Sequence, residues 1–324
     1  MTVEHMILVA VAICFVVVTG ANDGSAVLST GISLSTLRTT TSAVILVGLV
    51  VIVPVVLGTK VAVTFTERLV NFERENAALL MSIAVISAVM VVGLLTLLGL
   101  PTSLTLAVIG GIVGVGLGAG LAVSWSMVVL VLAVGLAAPI LGAALAYLVL
   151  GVLRLVPPAR QLPGVMQMAH RIMFTVQCIA YSLNDAQKML AVLAIAFGIG
   201  LGGPFDLDPL LLAVMGGGFA LGMVVGLPSV GMKLSRGLYT VRMTQTVAAE
   251  FAAATAVLAS AFVGVPVSMT QSLSGGLVGA GVGSGSARVR WKVAMGLSAA
   301  WIVTLPASLT LGLVGALLLN VVRT

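Results

Sequence analysis

The sequence predicts an all-α polytopic membrane protein: about ten transmembrane segments in two inverted-topology repeats, with broken helices or hairpins. Three observations predict it. The chain of 324 residues carries few charges, it is built from long apolar runs, and one ordered set of residue marks occurs twice.

Only 7% of the residues are Asp, Glu, Lys or Arg, while 60% are hydrophobic and the mean hydropathy is +1.27. Soluble domains carry roughly 25% charged residues. Fifteen bases and nine acids could not cover the surface of a soluble protein of 32.7 kDa. High hydrophobicity excludes intrinsic disorder as well. A transmembrane barrel would show short alternating segments rather than continuous apolar runs. The net charge of +6 is therefore not a nucleic-acid signal, and no nucleic-acid partner is expected. Cys14 and Cys178 lie in apolar segments and read as small core residues.

A helix needs about 20 apolar residues to cross a bilayer. Ten candidates meet that, near 6–33, 40–62, 77–98, 102–120, 123–150, 170–200, 208–227, 240–262, 266–284 and 291–318. The first has an acid and no basic residue ahead of it, so it reads as a span rather than a cleaved signal. Residues 76–153 contain no charge at all, so the turn from Gly99 to Pro101 is either a surface turn or a hairpin sunk into the protein. With ten crossings and an outer N-terminus, Arg38, Arg154, Arg160, Arg171, Lys233, Arg236, Arg242, Arg288, Arg290 and Lys292 share the cytoplasmic side. Only Arg68, Arg74 and Arg323 fall outside, which satisfies the positive-inside rule. The expected location is the plasma membrane, with both termini extracytoplasmic.

The repeat appears as Asn22-Asp23, "LGTK" ending at Lys60, and "PTSLTLAVIGGIVG" from Pro101. It returns as Asn184-Asp185, "VGMK" ending at Lys233, and "PVSMTQSLSGGLVG" from Pro266. From Asp23 to Pro101 is 78 residues, and from Asp185 to Pro266 is 81. Five crossings per half give the halves opposite topology, a common plan of secondary transporters. The expected division is 1–153 for the first repeat, a cytoplasmic linker at 154–169 with Pro157, Pro158 and Pro163, and 170–324 for the second repeat.

Six of the nine acids, Glu4, Glu67, Glu73, Glu75, Asp206 and Asp208, fall at the N-terminus or in outer loops. The three left inside are Asp23, Asp185 and Glu250. A buried acid in a span is costly and points to function. Lys188 follows Asp185 by three residues, so it either pairs with it on one helical face or contacts substrate. Gly20 to Ser25 is a run of small residues that could unwind and offer oxygens to Na⁺, while a carboxylate alone would serve a proton relay.

Pro101 and Pro266 suit the first position of a helix. Ser103, Thr105, Ser268 and Thr270 then crowd a first turn whose free N–H groups and dipole favour an anion. The glycine runs from Gly110 and Gly275 follow no strand, so they read as close-packing surfaces, not nucleotide loops. His5 and His170 are read as lying outside the spans, and no protease or nucleophile-elbow motif occurs. An enzyme would need a nucleophile with a base, and a passive channel would need no coupling acid.

At "GANDGSAVLSTG", "YSLNDAQKML", "PTSLTLAVIGG", "PVSMTQSLSGG" and the stretch around Glu250, the chain resembles the inorganic phosphate transporter family over nearly its whole length. The resemblance implies a symporter that moves phosphate with Na⁺ or H⁺, needs no other cofactor, and forms a homodimer in the bilayer. It implies that Asn22, Asp23, Asn184, Asp185 and Glu250 form the coupling-ion sites, with Asp23 and Asp185 as the Na⁺ ligands. Ser103, Thr105, Ser268 and Thr270 would hold the anion, with Asn22, Asn184 and Lys188 beside it. The close alternative is a symporter of another oxyanion such as sulfate. The chain departs from the family pattern at Tyr181 and Gln271, where the family has His. It departs again at Leu104 and Met269 (Thr), Leu106 (His) and Val50 (Glu).

Overall fold

The computed structural model describes residues 3–57, 60–70, 77–155, 162–197, 209–237, 242–285 and 289–323. Arg74, Arg160, Arg288, Glu73, Glu75, Asp206, Asp208, Pro157 and Pro158 lie outside the described residues. The described chain is mainly helical, with one isolated antiparallel bridge between Val70 and Val123.

The first half contains α1 (Val3–Thr19), α2 (Ser25–Ile32), α3 (Thr39–Leu57), α4 (Lys60–Val63), α5 (Ala77–Leu97), α6 (Leu104–Gly118) and α7 (Trp125–Leu153). The second contains α8 (Leu162–Tyr181), α9 (Gln187–Ala196), α10 (Pro209–Gly226), α11 (Met232–Gly237), α12 (Met243–Phe262), α13 (Met269–Gly283) and α14 (Trp291–Arg323). Wider π turns at Gly20–Gly24 and Ser182–Ala186 join α1 to α2 and α8 to α9.

Seven of these helical stretches are long and apolar enough to cross a membrane: His5–Ile32, Thr39–Leu57, Ala77–Leu97, Trp125–Leu153, Pro209–Leu234, Met243–Phe262 and Trp291–Val321. The run at 162–196 is not among them; polar residues recur along it, from Gln167, His170, Arg171 and Gln177 to Asp185 and Lys188. The segments expected at 102–120 and 266–284 are helices of 15 residues each. At 1.5 Å per residue they reach about 22 Å, short of the bilayer core of about 30 Å. The helices turn apolar side chains outward, as at Ile140 (69% exposed) and Ile302 (74%). They bury Asn22, Asp23, Asn184, Asp185, Lys188 and Glu250 inside. That polarity is the reverse of a water-soluble fold and suits lipid.

Helix packing exchanges partners between the halves. The short helix α6 lies against α14, and its counterpart α13 lies against α7. The glycine runs explain why. A Cβ at Gly110, Gly114 or Gly118 would strike the α14 backbone at Leu305, Leu309 or Leu313. A Cβ at Gly275 or Gly279 would strike the α7 backbone at Pro139 or Ala143. Small residues at this spacing let helices approach closely in lipid.

Both short helices are preceded by the same turn. Gly99 and Gly264 take left-handed φ values of +65° and +75°. Each is followed by a bond that closes the preceding helix, Leu100 N to Leu95 O at 2.8 Å and Val265 N to Ser260 O at 3.0 Å. This is the glycine-terminated helix end expected where the chain must reverse.

Three expectations change. The Gly20–Gly24 stretch does not unwind: it stays helical, widened so that the Ser25 amide reaches back to Gly20 O. Its glycines serve packing, since Gly20 meets the Phe219 backbone and Gly24 the Phe219 ring. The matching turn Ser182–Ala186 widens without any glycine. Cys14 faces outward rather than into the core, while Cys178 is buried. His170 lies on α8 and is fully buried, because it faces Glu250 inside the protein.

Candidate functional site

The π turns at Gly20–Gly24 and Ser182–Ala186 place an Asn-Asp pair just ahead of α2 and of α9. In the first half, Asn22 Nδ2 donates to Thr102 O at 2.8 Å, and Thr102 N donates to Asn22 Oδ1 at 3.0 Å. In the second half, Asn184 Nδ2 donates to Val267 O at 2.5 Å, and Val267 N donates to Asn184 Oδ1 at 3.3 Å. Thr102 and Val267 each stand between the proline and the serine of their motif. Each asparagine therefore acts as an amide clamp on the backbone that leads into a half-length helix. A widened π turn sets such side chains off the regular helical register, and these turns recur at functional sites.

Ser103 and Ser268 cap α6 and α13. Ser103 Oγ accepts from Leu106 N at 3.2 Å, and Ser268 Oγ accepts from Gln271 N at 3.3 Å. Capping satisfies one amide of each first turn, and in α13 the Met269 amide also donates to Asp185. The two helix starts meet directly: Thr105 Oγ1, on the first turn of α6, donates to Val267 O, just ahead of α13, at 2.8 Å.

The hydroxyls of the two threonines are engaged within the protein. Thr270 Oγ1 donates to Asp23 Oδ1, which also accepts from Asn22 Nδ2 at 2.7 Å. Thr105 Oγ1 accepts from Lys188 Nζ at 2.5 Å while it donates to Val267 O. Lys188 Nζ also lies 2.5 Å from Asp185 Oδ1 and 3.0 Å from Val267 O. An ammonium has three donors and no acceptor, so these three oxygens use all of them. Phe65 places its ring 5.7 Å from the same nitrogen. Of the two readings for Lys188, the geometry shows the pair with Asp185 formed on one helical face.

Asp23, Asp185, Lys188, Asn22, Asn184, Ser103, Thr105, Ser268 and Thr270 are all brought together and buried. Glu250 sits apart from them. It faces His170, with Nε2 3.4 Å from Oε1, and both side chains are fully buried. The two side chains form an ion pair when the imidazole is protonated. His170 is held by contacts from Nδ1 to the Thr36 hydroxyl and from Nε2 to Thr30 O, the latter at 3.3 Å.

Four participants carry no sequence signal or a weak one. Thr102 and Val267 act through backbone atoms, so their side chains need not match. His170 pairs with a residue 80 positions away. Gln187, beside the second Asn-Asp pair, accepts from Val61 N at 2.7 Å and Ala62 N at 3.2 Å, which ties α9 to the start of α4. Among the described residues no group of three or more His, Cys, Asp or Glu forms a metal cluster. A Na⁺ at Asp23 would rest on one carboxylate and neutral oxygens, the hard donor set that suits such an ion.

Known proteins with this pattern share a description. The sequence profile of the phosphate transporter family matches residues 19–179 and 157–312. A probable low-affinity inorganic phosphate transporter of Mycobacterium tuberculosis is 33% identical over 327 residues, covering 96% of this chain and 76% of that protein. One of Bacillus subtilis (strain 168), with the same description, is 24% identical over 329 residues, covering 98% and 97%. Among solved structures, a sodium-dependent phosphate transporter superposes with a TM-score of 0.82 at 18% identity, covering 99% of this chain and all of that one. At that identity the superposition establishes a shared fold.

Proposed function

The chain belongs to the phosphate transporter family, and from that premise we propose that it imports inorganic phosphate by secondary active symport with Na⁺. It is a transporter by family, not an enzyme, and the sulfate alternative has no support among the matched proteins. One observation carries the reading from the geometry: the Thr105 hydroxyl is bonded to Val267 O, so two half-length helices begin face to face deep in the protein. Two such starts direct free amides and the positive ends of two dipoles at one place, which suits an oxyanion.

In this reading the anion lies between Ser103 and Ser268, with the first-turn amides of α6 and α13 around it. Thr105, Thr270 and the clamps Asn22 and Asn184 hold those turns in place. Asp23 takes the coupling cation with help from Thr270 and Asn22, and Asp185 forms the matching place in the second half. The exchanged packing of α6 with α14 and α13 with α7 supports two inverted repeats, 1–153 and 170–324, joined by the linker 154–169. The repeats would give ten segments, two of them the half-length helices. The plasma membrane, extracytoplasmic termini and a homodimer complete the proposal.

Na⁺ is favoured by the oxygen-rich surroundings of Asp23 and by the sodium dependence of the protein that shares the fold. A proton is the second reading, and the specific observation behind it is the buried pair of His170 and Glu250. Uptake of labelled phosphate into proteoliposomes under an imposed Na⁺ gradient, compared with an imposed pH gradient, tests both. Accumulation with Na⁺ is expected. Uptake that neither gradient drives would exclude symport, and uptake of labelled sulfate indifferent to phosphate would exclude the substrate.

A further inference from the structure

The two halves build the same oxygen triad by crossing over. In one triad Asp185, Thr105 of α6 and the carbonyl of Val267, the residue that Asn184 clamps, surround the Lys188 ammonium. In the other, Asp23 meets Thr270 of α13, and Asn22 links it to the carbonyl of Thr102. Thr105 and Thr270 hold the same place in their motifs, as do Val267 and Thr102. Each triad offers a carboxylate, a hydroxyl and a backbone carbonyl, which is a hard-cation donor set.

The triads differ in one respect. The residue three positions after Asp185 is Lys188, whose ammonium sits among the three oxygens and spends all its donors on them. The residue three positions after Asp23 is Ala26, also buried, and no basic nitrogen lies within 4 Å of Asp23 among the described residues. There the threonine hydroxyl turns to the carboxylate directly.

We propose that Lys188 is a tethered cation: its ammonium permanently fills the second of two equivalent Na⁺ places, leaving the Asp23 triad as the place for a mobile ion. The proposal rests on the Na⁺ symport reading and deepens it. The charge count follows the same way. Two buried carboxylates and one fixed ammonium leave a net charge of one negative unit, which one Na⁺ neutralises before the anion arrives. A lysine committed to three oxygens has no donor left for phosphate. Its effect on phosphate therefore runs through charge and through the position of Thr105, so it is a positioning residue.

The number of Na⁺ ions moved per phosphate reads this directly. It is obtained from the phosphate gradient that halts net labelled phosphate flux under a fixed Na⁺ gradient, with the membrane potential clamped at zero. Lys188→Gln is expected to move one more Na⁺ per phosphate than the parent protein. Lys188→Arg should keep the parent ratio, and Asp185→Asn with Lys188→Gln should return to it. A parent ratio in Lys188→Gln overturns the proposal. If Lys188→Gln folds but does not transport, thermal unfolding of the solubilised protein against Na⁺ concentration decides. The melting temperature of Lys188→Gln should then rise more steeply with Na⁺ than that of the parent, and the double variant should lose that increment. Equal slopes overturn the proposal. Failure of the symport reading shows differently, as phosphate flux in the parent protein that ignores the Na⁺ gradient.

Discussion

Asn22 and Thr102 are joined by two hydrogen bonds, Nδ2 to the Thr102 carbonyl at 2.8 Å and the Thr102 amide to Oδ1 at 3.0 Å. Asn184 and Val267 repeat the relationship 162 positions later for the asparagine. The side-chain amide completes backbone groups that neither the preceding turn nor the short helix can satisfy. Asn22→Ala and Asn184→Ala each strand a buried donor and a buried acceptor, at about 1–3 kcal/mol per group. Both variants should unfold at lower temperature in detergent, by similar amounts, and lose phosphate uptake by tenfold or more. A large loss in one variant and none in the other would break the equivalence of the two clamps.

The pair of Asp185 and Lys188 predicts a stability asymmetry between the two acids. Asp185→Asn leaves a fully buried ammonium without its counter-charge, a change that costs about 3–5 kcal/mol where it has been isolated. Asp23→Asn removes a carboxylate that faces no basic group within 4 Å among the described residues, so its stability should stay close to the parent's. Asp185→Leu with Lys188→Met replaces both charges by apolar groups and should recover most of the loss. Thermal unfolding of these proteins, arranged as a double-mutant cycle with the single changes, isolates the pairwise coupling. Additive single losses would show that the ion pair contributes nothing.

Much of this arrangement was legible in the sequence, for a physical reason. Charges are so scarce that Asp23, Asp185, Glu250 and Lys188 stand out once loop charges are set aside. The repeated prolines lie two residues ahead of the capping serines, not at the first helical position expected of them. The glycines that follow read correctly as packing surfaces. What stayed hidden was whatever backbone atoms or long-range pairing decide. Thr102 and Val267 share no side-chain chemistry, yet both are clamped through the main chain. The engagement of Thr105 with Lys188, and of Thr270 with Asp23, joins residues 83 and 247 positions apart. His170 read as lying outside the spans, while the fold turns it inward against Glu250.

The pair of His170 and Glu250 predicts a pH dependence separate from the Asn-Asp sites. Thr30, Thr36 and Cys178 face the pair from the neighbouring elements, and Arg171 is the nearest other charge. Imidazole is the side chain that changes charge near neutrality. Below that range a protonated His170 pairs with the Glu250 carboxylate, and above it the attraction is lost. Phosphate uptake by the parent protein should therefore vary with pH across the interval in which His170 changes charge. Uptake by His170→Gln should be flat over the same interval, with the phosphate KM changed little. Identical pH profiles in the two proteins would reduce the pair to a packing role.

Close helix packing makes the last prediction, and it separates glycines that look alike in the sequence. Gly279 faces the Ala143 backbone of α7 with no room for a methyl group, whereas Gly135, inside α7 itself, has nothing within 4 Å of a built Cβ. Gly279→Ala forces α13 away from α7 and should cost about 1–3 kcal/mol by overpacking. Because Ser268 caps α13, the same displacement would pull the serine cap and Thr270 away from Asp23, so uptake should fall together with stability. Gly135→Ala meets no obstacle and improves helix propensity, by up to about 1 kcal/mol. Its melting temperature should equal or exceed the parent's, with uptake unchanged. Equal behaviour of the two alanine variants in unfolding and uptake would show that the contact between α7 and α13 does not hold the second short helix in register with the first.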